Sequence, residues 1–79
     1  MIHLRIITTY PPAFGLPEET IELTLRLSPE FARTGDEAHE RILDALRGDE
    51  NFEIPTVDEE VPFLFSPEVV RSVAVWETG

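Results

Sequence analysis

From Thr20 to Leu27 the chain alternates without a break. Ile21, Leu23, Leu25 and Leu27 fall on one side, and Thr20, Glu22, Thr24 and Arg26 on the other. A period of two marks an extended strand with one dry and one wet face. A slip of one residue would turn all four aliphatics to water, so the pairing of this strand is closely specified. The chain must therefore build a sheet with one covered face, and another element must supply the cover.

That cover lies just downstream. Thr34-Gly35-Asp36-Glu37 has the form of a capping box, in which Thr34 accepts from the third amide and Glu37 reaches back. The spacing predicts a helix from Thr34 to Leu46, with Arg47 in its last turn and Gly48 as a left-handed stop. Ala38, Ile42, Ala45 and Leu46 make one apolar stripe with Leu43 at its edge, while Asp36, Glu37, Glu40 and Asp44 cover the far side. Such a helix buries one stripe against one surface.

The remainder reads as strands and proline-bearing turns. Ile2, Leu4 and Ile6 alternate with His3 and Arg5 in a strand running to about Thr9. Pro11, Pro12 and Pro17 stiffen the connection from Tyr10 to Glu19. Ser28-Pro29-Glu30 and Ser66-Pro67-Glu68 each end a strand in a turn; Phe52 and Ile54 form a short strand. Val61, Phe63 and Phe65 alternate as a further strand, placed at an edge or a strand start by Pro62, and Arg71 to Glu77 closes the chain. With 79 residues the chain has room for a single domain. The expected fold class is α+β, a small mixed sheet of four to five strands packed on one amphipathic helix in ββαββ order. Ile21, Leu23, Leu25, Ile42, Leu46 and Val73 are expected to be buried together.

This order resembles the β-grasp family, whose best-known member is ubiquitin. Ile2 to Ile6 stands where the family has its first strand, Thr20 to Leu27 its second, Thr34 to Leu46 its helix, and Arg71 to Glu77 its closing central strand. The resemblance covers nearly the whole chain through spacing and alternation, and implies a protein-binding module. Ubiquitin-like modifiers and carriers end in paired glycines, where this sequence reads Trp76-Glu77-Thr78-Gly79, so a modifier or carrier is the weaker expectation.

Charge points to the kind of partner. Sixteen acidic residues face six basic ones, all arginine, for a net charge of −10. From Asp36 to Glu60 ten carboxylates stand against Arg41 and Arg47, a net of −8. That field repels nucleic acid and anionic membranes and attracts a protein with a basic surface. The expected partner-binding residues are Glu37, Glu40 and Asp44 on the helix and Asp58, Glu59 and Glu60 in the following loop. Tyr10, Phe14 and Leu16 join them as rigid apolar anchors in the proline-stiffened loop. An alternative is a phage- or plasmid-encoded inhibitor whose carboxylates mimic nucleic-acid phosphates.

Catalysis is not expected. There is no cysteine, which removes thiol nucleophiles and thiolate metal sites. The four glycines are isolated, so no phosphate-cradling loop exists, and His3 and His39 are far apart in sequence. Asp58-Glu59-Glu60 lacks the return geometry of a calcium loop. The reading therefore assigns no catalytic residue, no cofactor and no metal. No apolar run approaches the ~18 residues of a membrane span, and no signal-type segment opens the sequence, so a cytoplasmic location is expected.

Overall fold

In the computed structural model, which describes residues 1–12 and 15–79, five strands and one α-helix follow in the order β1 (Ile2–Tyr10), β2 (Glu19–Arg26), α1 (Gly35–Arg47), β3 (Phe52–Ile54), β4 (Phe63–Phe65) and β5 (Val70–Glu77). A single turn of 3₁₀ helix at Pro67–Val69 leads into β5. The order is therefore ββαβββ rather than ββαββ, and the strands divide into two sheets. One is three-stranded in the order β2-β1-β5; the other is the short β3–β4 hairpin. A single sheet of four to five strands is not what forms.

β1 occupies the centre and runs antiparallel to both neighbours, with Ile6 opposite Leu23 on one side and Val73 on the other. The closing strand, expected at the centre from the β-grasp resemblance, is instead an edge. The physical reason is visible in β1. Ile2, Leu4, Ile6 and Thr8 are buried on the inner face, and the intervening residues stay at the surface. One wet face does not prevent a strand from being central, because both edges of its backbone are paired in the sheet plane.

The inner face, α1 and the β3–β4 hairpin close on one core. Leu4, Ile6, Ala38, Ile42 and Ile54 are wholly buried, and Leu25, Leu27, Ala32 and Phe65 are nearly so. Leu23, Leu46 and Val73 pack against this set but remain half-buried, and Ile21 is half-buried, so the expected buried group is only partly sealed. α1 packs chiefly on β5. Nine strand residues reach about 30 Å and thirteen helical residues about 20 Å, so the helix cannot cover the full length of the β1–β2 hairpin. The molecule is accordingly long, 44 × 24 × 21 Å, with a radius of gyration of 13.1 Å against roughly 12 Å for a spherical domain of this length.

Local details adjust the helix ends. Thr34 Oγ1 accepts from the Glu37 amide at 3.1 Å, as the cap requires. The Glu37 carboxylate pairs with Arg41 Nε at 3.3 Å instead of reaching back. Gly48 ends the helix in extended backbone, φ −82°, rather than a left-handed turn, and its amide donates to the Ala45 carbonyl. Thr8, the one polar residue in the buried row of β1, donates to the Ile21 carbonyl at 3.5 Å. The β3–β4 hairpin is joined to the main sheet by the Leu27–Thr56 bridge and by backbone bonds from Ser28 to Pro55 and from Val57 to Arg26.

Candidate protein-interaction site

α1 turns its acidic side outward because Ala38 and Ile42 are held in the core. Two of its carboxylates have intrahelical partners: Glu37 with Arg41, and Asp44 with Arg47 at 3.3 Å. Glu40 makes no ion pair among the described residues and stands four residues from Asp44, a like-charge spacing that costs a few tenths of a kcal/mol. Asp44 also lines a shallow notch with Ala45, Gly48, Asp49, Glu50 and Phe52 at the C-terminal end of the helix. The helix dipole is negative there, so it adds to the carboxylates instead of relieving them.

The following loop is more divided than its sequence suggests. Asp58 is held by a bidentate pair from Arg26, with Nε at 2.9 Å from Oδ2 and Nη2 on Oδ1. The hydrogen bonds from this guanidinium hold the Asp58 carboxyl below the usual aspartate range. Asp58 thus ties the loop to β2 through a pair at the surface, and Glu59 and Glu60 are exposed beside it.

Beside these carboxylates lie three exposed aliphatics. Val57 is 43% exposed, Val61 76% and Leu64 61%, all within the β3–β4 hairpin and its loop. The sequence reading placed Val61 on the same strand face as Phe63 and Phe65. The chain instead bends through residues 57–61, and β4 begins only at Phe63. Leu64 points away from the core because its neighbours Phe63 and Phe65 point in. The signal available was this out-of-phase leucine, opposite Glu53 in the hairpin ladder and four residues after Glu60.

The end of β1 presents Tyr10 at the surface and the loop after it presents Leu16, which is 67% exposed. Gly15 beside it has φ +79°, the left-handed conformation that favours glycine. Phe14 lies outside the described residues.

The outer sheet face is of mixed character. His3 stacks on Trp76 with ring centroids 5.4 Å apart, and His3 Nε2 lies 2.8 Å from Thr78 Oγ1. Arg5 and Glu22 stand 3.9 Å apart on the same face. His39 is exposed beside β5. No group of three metal-ligating side chains occurs among the described residues, and no helix is long and apolar enough to cross a membrane. No family model, curated protein or solved structure matches the chain.

Proposed function

We propose that this chain is a non-catalytic interaction module that binds a protein with a basic surface through its acidic side. The observation that carries the reading is the exposure of Val61 and Leu64 beside Glu53, Glu59 and Glu60. Carboxylates alone would serve solubility, but exposed aliphatics among them do not. An apolar centre with a charged rim is the usual make-up of a protein-binding patch: the rim steers and the centre holds. Glu40, Asp44, Asp49 and Glu50 extend the same negative field along α1 and its C-terminal notch.

Recovery of the partner from the native host, followed by association kinetics at two salt concentrations, tests this reading. Reversal of Glu40 and Asp44 to lysine slows association about tenfold or more at low salt, while the fold is retained because both side chains are exposed. Leu64→Ser speeds dissociation without slowing encounter. A partner whose binding is indifferent to salt, to the double reversal and to Leu64→Ser would overturn the proposal.

A further inference from the structure

β5 is an edge of the three-stranded sheet, and no strand pairs with its outer side among the described residues. An unpaired edge is a template for another strand, and proteins usually block it with proline, lysine or an inward-pointing charge near its middle. Val70-Arg71-Ser72-Val73-Ala74-Val75-Trp76-Glu77 has none of these in its central stretch. The edge also opens into a cleft beneath α1, where His39, Leu43 and Leu46 face Val70, Ser72 and Val73. Val70 and Val73 are half-buried there opposite Leu43 and Leu46, so an apolar wall awaits the inward side chains of an added strand.

We propose that β5 pairs antiparallel with β5 of a second copy, about a two-fold axis through Ala74, to make a continuous six-stranded sheet. Two copies related by an axis normal to the sheet keep each face on its own side, so opposed residues must share a face. Two such registers each pair seven residues of β5, centred on Val73 or on Ala74; only the second stops at the register shift beside Arg71, and it sets Ala74 against itself, Val73 against Val75, Ser72 against Trp76 and Arg71 against Glu77, each unlike pair occurring twice. The valines continue the inner apolar layer, the smallest side chain lies on the axis, and opposite charges meet at both ends. Arg71 gives one donor to the Glu68 carbonyl at 2.9 Å and keeps four others. A register shift between Ile7 and Thr8 in the β1–β5 ladder leaves Arg71 without a partner on β1 and marks one limit of the new pairing.

Sedimentation equilibrium of the full chain, without any partner protein, tests the proposal apart from the acidic-face reading. The wild type is expected to be a concentration-dependent dimer. Arg71→Glu and Glu77→Arg each weaken it about tenfold or more, and the double variant regains it because the pair is reciprocal. Circular dichroism verifies that each variant is folded. Amide exchange on wild-type protein gives an independent reading: Ser72 to Trp76 slow as concentration rises, while Thr20 to Thr24 do not. A wild type still monomeric at ~1 mM, a dimer untouched by either single reversal, or a double variant that fails to recover would overturn it.

Discussion

The side chain of Glu77 lies over Gly35, the first residue of α1: a Cβ built on Gly35 would sit 3.2 Å from Glu77 Cγ and 3.4 Å from its carboxylate oxygen Oε2. The contact ties the end of β5 to the start of the helix and sets an anion beside the positive end of the helix dipole. It also explains why a glycine follows the Thr34 cap. Gly35→Ala is expected to bring no net stability in the wild-type background, because the helix-forming gain is offset by displacement of Glu77. In a Glu77→Ala background the same change should stabilise by roughly 0.5 kcal/mol. Urea denaturation of the four proteins in this cycle measures the coupling; equal effects in both backgrounds would refute it.

Thr56 is buried where the β3–β4 hairpin meets the main sheet, and its Oγ1 has no hydrogen-bond partner among the described residues. A buried hydroxyl without a partner costs about 1–3 kcal/mol. Thr56→Val keeps the shape and removes the cost, so it is expected to stabilise the fold by about 1 kcal/mol. A shift in the denaturation midpoint at constant m-value checks this.

The Arg26–Asp58 pair gives a pH dependence with a definite sign. Asp58 is depressed in the folded state, so its contribution is fully present above the unfolded value of about 3.9 and fades as pH falls through the lower folded value. An NMR titration of the Asp58 carboxyl should show a midpoint below ~3.9 that rises toward it in Arg26→Ala. Acid should also loosen the Val57–Val61 loop before the core gives way.

Core and surface aliphatics should separate cleanly by mutation. Leu25→Ala is expected to cost about 2–5 kcal/mol, as a packed leucine does, and Leu23→Ala less because that side chain is only half-buried. Val61→Ala should stay within about 0.5 kcal/mol. A large loss at Val61 would contradict its place at the surface. Calorimetric unfolding of the three variants decides the ranking.

The three strands of the main sheet, the helix and its N-cap were legible because each rests on a local period or a fixed spacing. Thr34 and Glu37 are three residues apart, and Ile21 to Leu27 keep strict alternation. Sheet order was not legible. Whether β1 or β5 takes the centre depends on which backbones pair across most of the chain, and both strands carry a mixed outer face. Ala32 and Phe31 contribute to the core from a turn, where no period announces them. On the acidic side, the charges were legible but not their fates. Asp58 is drawn away by Arg26, 32 residues distant, and Glu40 is left without an ion pair among the described residues. Val61 and Leu64 were hidden for the opposite reason, since aliphatic residues in a strand-like run read as core.

The central place of β1 sets how the chain must fold. Its β2 side closes through a short connection, but its β5 side joins residues at opposite ends of the sequence: Met1 hydrogen-bonds Thr78 across a separation of 77. Closing so long a loop carries an entropic cost before any contact repays it, so this topology has a high contact order. Folding in milliseconds to seconds follows, slower than for a helical bundle of this size. The β1–β2 hairpin forms early, and the other side of β1 then waits unpaired. Until β5 arrives, Leu4 and Ile6 are the residues most exposed to a wrong strand, and the kinetic competitor to native closure is aggregation along that line.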